Sequence, residues 1–189
     1  MSEFIRDNLT FSKENMLKLS LLAVLLLSGA VFSLNIGMTD IQAFIQENQS
    51  QAILISLVIY VLFGFTFLPS IPLTLFIAVL IGPLQAAIVA ALGNTIAAFF
   101  EYQIGKTVGD VVDFEEKRSK LPFGLGKLPV KSPYFMLAAR SIPAAPRAFS
   151  MVCGAYEVPM GVYLWTTSLT YFISSAILAY GGEKLIDLI

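Results

Sequence analysis

From Pro69 to Lys106 the chain stays apolar for more than thirty residues, yet Pro69, Pro72, Gly82-Pro83 and Gly93-Asn94 interrupt it. One straight membrane helix cannot hold those breaks, because proline removes an amide donor and clashes with the preceding turn. In lipid every backbone group must be bonded internally. Broken backbone at membrane depth therefore survives only inside protein or beside a wet cavity. The stretch predicts a short helix entering the membrane, a turn at Gly82-Pro83, a return, and a tilted spanning helix from about Asn94. Two kinked spanning helices are the plainer alternative.

Composition fixes the medium. The 189 residues are 57% hydrophobic and 13% charged, with a mean hydropathy of +0.78. A soluble domain needs roughly a quarter of its residues charged to cover its surface. This is an integral membrane protein. A net charge of −1 argues against nucleic acid as a partner. The lack of histidine removes zinc proteases, Ser-His intramembrane proteases and histidine-dependent lipid phosphatases. Neither a metal nor an organic cofactor is expected, and no enzymatic activity. The single cysteine, Cys153, cannot form an internal disulfide.

Residues 19–37 are charge-free and read as a spanning helix rather than a signal peptide, since no clear small-x-small cleavage site follows. Residues 38–51 carry Ile41, Phe44 and Ile45 among polar neighbours and read as a surface helix. Residues 52–68 form a second spanning candidate, and 160–181 the last. Residues 107–133, with Lys117, Arg118, Lys120, Lys127 and Lys131, form the one strongly basic linker.

The chain also resembles itself. Leu68-Pro69-Ser70-Ile71-Pro72 and Ile142-Pro143-Ala144-Ala145-Pro146 share Pro-x-x-Pro at an offset of 74 residues. Gly82-Pro83 finds a counterpart in Gly154 and Pro159, and the helix end at Tyr102-Gln103-Ile104-Gly105-Lys106 matches Tyr180-Gly181-Gly182-Glu183-Lys184. The predicted fold is an all-α inverted repeat of two re-entrant hairpins, each followed by a tilted transmembrane helix. Its organisation is an N-terminal segment, 1–51, and a membrane domain, 52–189. Within the domain, repeat one covers about 66–106, the linker 107–133 and repeat two about 139–184.

On these residues the chain resembles the DedA/SNARE-associated Golgi (VTT-domain) superfamily over roughly 55–185. The resemblance rests on Pro69-x-x-Pro72, Gly82-Pro83, Gly93, Tyr102-x-x-Gly105-Lys106 and Arg140-x-x-Pro143-x-x-Pro146 with Gly154 behind. It implies facing re-entrant hairpins, residence in a bacterial plasma membrane, and movement of phospholipid or of a phosphorylated polyisoprenyl carrier. Some bacterial members are thought to couple to protons. Two departures stand out. No acid lies in Pro69-Ser70-Ile71-Pro72, and Arg147 follows Arg140 by seven residues where the family spacing is six.

Arg140 and Arg147 lead the candidate substrate-binding residues. An arginine at membrane depth costs ~2.5 kcal/mol or more unless it faces a partner or wet cavity, and its planar fork suits a phosphate. Snorkelling to the headgroups is the bland alternative. Glu101 shares a helical stripe with Gly93, Ala97 and Gly105, which points it inward toward Arg140 or Arg147. Thr167, Thr170, Tyr171 and Ser174 form a hydroxyl face that either bonds back to its own helix or walls a groove. Asn94 is a cap for the tilted helix or a further groove residue. Pro69, Pro72, Gly82, Pro83, Pro143, Pro146 and Gly154 shape the hairpins. The expected function is lipid transport or scrambling through the phosphate headgroup, with self-association open. A proton- or ion-coupled small-solute transporter and a non-transporting assembly factor are the alternatives.

Overall fold

The computed structural model describes residues 37–66, 70–111, 126–141 and 146–186, with Met16, Ser20, Ala23, Val24, Val31 and Phe114. The expected span at 19–37, the hairpin residues Pro69 and Pro143, and linker residues Lys117, Arg118 and Lys120 lie outside the described residues. Every regular element among them is helical: α1 Met38–Glu47, α2 Ala52–Thr66, α3 Ile71–Ile81, α4 Pro83–Val111, α5 Pro133–Arg140, α6 Pro146–Ala155 and α7 Met160–Ile186.

Helix α1 starts where the Asp40 carboxylate accepts the Gly37 amide at 2.9 Å and buries Ile41 and Ile45 against α2 and α3. Among the described residues two helices are long and apolar enough to cross a membrane: α4, with 29 residues, and Met160–Gly181 of α7, with 22. The expected last span, 160–181, is one of them, and the span expected from about Asn94 lies within the longer α4. Helix α2 has 15 described residues, about 22 Å at 1.5 Å per residue, against a hydrocarbon core of ~30 Å.

The expected break at Gly93-Asn94 is absent, and the tilted helix begins at Pro83 instead. Gly93 lies in the α2 contact, where a Cβ would stand 2.5 Å from the Cβ of Tyr60. A glycine inside a helix costs only ~1 kcal/mol relative to alanine, less than such a close contact can return. Asn94 is not a cap; its Nδ2 donates to the Ala90 carbonyl, one turn back, at 2.8 Å.

The turns behave differently in the two halves. Gly82 joins α3 to α4 with φ +90° and ψ 154°, a region essentially closed to residues with a Cβ. Pro72 sits in the first turn of α3, where a missing amide loses no helical bond. In the second half the left-handed residue is Glu157, with φ 48°, not Gly154. Its amide donates to Gly154 at 2.9 Å and that of Val158 to Cys153 at 3.0 Å, the two bonds of a Schellman helix end.

Gly154 lies inside α6 and acts by close approach. A Cβ there would strike the Tyr102 carbonyl oxygen and stand 2.6 Å from the Lys106 amide nitrogen; at Gly105 it would strike the Met151 carbonyl. Backbone therefore meets backbone where α6 crosses α4. Tyr102 and Tyr163 seal the junction, donating to the carbonyls of Val158 at 2.7 Å and Ala98 at 2.6 Å.

Gly154→Ala should cost about 1–3 kcal/mol or more, since neither backbone can yield, and lower the thermal midpoint in detergent. Glu157→Gly should leave the midpoint unchanged or raise it. It removes an αL penalty of roughly 1–2 kcal/mol and only an exposed pair to Lys106 at 3.9 Å, of a kind worth about 0–1 kcal/mol.

Candidate functional site

Arg140 is the last residue of α5, where a cation complements the negative helix end. It is only 5% exposed. Three rings surround its guanidinium, with centroids of Tyr163, Phe149 and Tyr171 at 5.1, 5.6 and 5.9 Å. Such faces attract a cation by about 0.5–2 kcal/mol each, the upper end when desolvated. Nη2 donates to the Ser150 hydroxyl at 3.3 Å. Nε and Nη1 are buried without a partner, and among the described residues no carboxylate forms an ion pair with Arg140.

Arg140 lines a cleft of about 620 Å³ bounded by α3, α4, α5 and α7. Its polar lining includes Asn94, Thr170, Ser174, Ser70 and Thr74, and its apolar lining Ile71, Leu137, Leu169, Ile173 and Ile177. The outer helix faces are apolar: Ile71, Ile173 and Ile177 are all exposed on the molecule. The cleft thus joins a cationic, hydroxyl-bearing region to oily walls. An amphiphile with an anionic head meets complementary chemistry along its whole length there.

The other arginine is used differently. Arg147, in the first turn of α6, places Nε 3.8 Å from Oε1 of Glu101, while its Nη1 donates to the Phe63 carbonyl. Phe63 belongs to α2. One side chain thus ties α6 to α4 and to α2. Glu101 is 3% exposed and its Oε2 has no hydrogen-bond partner. The small-residue stripe divides its duties. Gly93 and Ala97 receive α2, Gly105 receives α6, and Glu101 between them faces the buried pair.

Of the sequence-predicted binding residues, Arg140 and Asn94 share the cleft lining. Glu101 and Arg147 meet each other outside it, and Thr167 is fully buried with its hydroxyl donated to the Tyr163 carbonyl at 2.6 Å. Its neighbours Thr170 and Ser174 also bond back, to Thr166 at 2.8 Å and Tyr171 at 3.2 Å, yet they line the cleft. Sequence reading missed Ser70, Thr74, Ser150 and the Phe149–Tyr163 part of the aromatic surround. For the aromatic residues periodicity alone held no signal, because they come from different helices. Ser70 was legible only as the residue inside the first Pro-x-x-Pro.

Comparison with known proteins adds one finding: the family model described as the VTT domain matches residues 68–184. The match runs through α3 to α7 and includes both arginines, Glu101 and the cleft. No curated protein and no solved structure matches the chain.

The Glu101–Arg147 pair yields a double-mutant test. Removing one partner leaves a buried charge unpaired, so Glu101→Gln or Arg147→Met alone should each cost about 3–5 kcal/mol, and the combined change should recover much of that loss. Thermal midpoints of the four proteins in detergent check this; strictly additive losses would contradict a coupled pair.

Proposed function

The chain belongs to the VTT-domain family, a family of membrane proteins, and we propose that it moves a phosphate-bearing lipid across the bilayer, without a cofactor. The observation that carries this reading is Arg140. A guanidinium in apolar surroundings with two buried donors unpartnered is costly unless an anion completes it. The cleft at its side has the mixed lining that a headgroup and its chains require. Phospholipid and a phosphorylated polyisoprenyl carrier both have that form.

We place the lipid path between paired hairpins. Helices α3 and α6, with 11 and 10 residues, are each about 15 Å long, half the ~30 Å core. Each is joined by a tight turn to a long helix. Helix α3 also packs on α7, and α6 on α4, so each short helix lies against the long helix of the other half. Opposed re-entrant elements of this kind would thin the barrier from both leaflets. A second reading, proton-coupled transport of a small solute, draws on the buried Glu101 carboxylate and its unpartnered Oε2.

In a Cys153→Ala background, cysteines at Ile81 and Glu157, beside the two hairpin turns, should each react with a membrane-impermeant thiol reagent from one side only, and from opposite sides. Labelling of both from the same side would remove the inverted arrangement.

Reconstituted vesicles with fluorescent phospholipid test the lipid reading. The wild type should accelerate loss of inner-leaflet protection with or without a pH gradient; a strict need for the gradient would favour the coupled reading. Arg140→Ala should abolish movement while the protein stays folded. Arg140→Lys should keep partial activity if charge alone matters and little if the planar fork does. A folded Arg140→Ala protein that moves lipid at the wild-type rate would reduce Arg140 to a structural cation.

A further inference from the structure

Ser70, Ile71 and Thr74, at the start of α3, line the same cleft as Arg140. Ser70 is the residue before the helix, yet its side chain makes no capping hydrogen bond. Among the described residues the first helical bond is that of Thr74, whose amide donates to the Ser70 carbonyl at 3.0 Å. The Thr74 hydroxyl donates to that same oxygen at 3.0 Å and lies 2.8 Å from the Tyr60 hydroxyl, so it is held in place from both sides. The amides of Ile71 and Leu73 precede this first acceptor pair and have no carbonyl within α3 to bond. Pro72 carries no amide, so the helix starts with that residue at no cost in hydrogen bonds.

A helix start carries about half a positive elementary charge and unpaired amides suited to an anion. That alone is common to every helix. Here a second, independent feature shares the cavity: Arg140, 5% exposed, with Nε and Nη1 buried and unpartnered. The two features come from different halves of the chain, and no carboxylate lines the cleft among the described residues.

We infer that one phosphate group is clamped in this cleft between Arg140 and the start of α3, with the Ser70 hydroxyl and the Ile71 amide as its ligands. The inference rests on the lipid-phosphate reading and extends it. It makes Ser70 and the α3 backbone binding elements, and it gives the first Pro-x-x-Pro a role beyond breaking a helix. A phosphate held this way neutralises a buried cation and meets the positive end of a helix in one step.

The test uses the full-length protein in detergent and follows its thermal midpoint against dioctanoyl phosphatidic acid, dioctanoylglycerol and inorganic phosphate. The first two share their chains and differ in the phosphate. The wild type should be stabilised by the phosphatidic acid and not by the diacylglycerol. Ser70→Asp places a carboxylate at the phosphate position and is a favourable helix cap, so folding is preserved; Ser70→Asn is a cap of the same size without charge. Half-maximal stabilisation of Ser70→Asp should need at least about tenfold more phosphatidic acid than wild type, and Ser70→Asn should stay within about twofold. Ser70→Glu carries the same expectation should Ser70→Asp not fold.

If Ser70→Asp and Ser70→Glu respond like wild type, the clamp is overturned, while wild-type stabilisation preserves the lipid-phosphate reading. No difference between phosphatidic acid and diacylglycerol on the wild type overturns both. A shift by inorganic phosphate equal to that by phosphatidic acid, and weakened by Ser70→Asp, upholds the clamp and makes free phosphate the ligand.

Discussion

The site depends on two backbones touching. At Gly105 and Gly154 helices α4 and α6 approach so closely that a single methyl on either side would enter the other's peptide group. This contact fixes the depth and rotation of α6, and with them the positions of Arg147, Phe149 and Ser150. Without it Arg147 would not reach Glu101 one turn before Gly105, and Ser150 would not meet Arg140. Small-residue crossings suit a medium with no hydrophobic drive between helices, because close van der Waals contact then supplies the association energy. Sequence reading used Gly154 as a turn residue. Its real task is to let α6 lie against the long helix of the other half.

On that frame the charges divide unequally. Two guanidiniums and one carboxylate are buried together, so the group carries one positive charge more than negative. Arg147 takes the carboxylate and also donates to the Phe63 carbonyl of α2. Arg140 receives rings and one hydroxyl instead. Aromatic faces and a neutral oxygen hold a cation without neutralising it. The cation without an ion-pair partner is thereby the one that lines the cleft, while the paired one ties the helices together. Had Glu101 faced Arg140, the cleft would have been neutral and the structural tie to α2 would have carried the unbalanced cation.

How much of this was legible in the sequence follows from the range of each signal. The helical class, the membrane setting and the turn at Gly82-Pro83 come from composition and local backbone chemistry, and the structure has them. The inward position of Glu101 followed from spacing with Gly93, Ala97 and Gly105, a signal carried within one helix. The supposed break at Gly93-Asn94 failed because glycine's helix penalty is small and a tertiary contact reversed it: the Tyr60 ring needs the space. The choice between Arg147 and Arg140 as the partner of Glu101 was beyond reach, because it turns on how α5, α6 and α4 meet.

The two Pro-x-x-Pro segments differ in what their helix starts hold. Pro72 and Pro146, 74 residues apart, both stand at the start of a short helix. At that offset Ser70 aligns with Ala144, and Arg147 with Leu73. In the second half a cation therefore occupies the helix start, where the helix dipole disfavours it. The carboxylate of Glu101 and the Phe63 carbonyl offset that cost. In the first half the matching position is apolar Leu73, next to Ser70 at the helix start. One start holds an internal ion pair; the other lies beside the cleft that Arg140 lines. The second Pro-x-x-Pro segment thus begins a helix that ties the core together, while the first begins one beside the cleft that Arg140 lines.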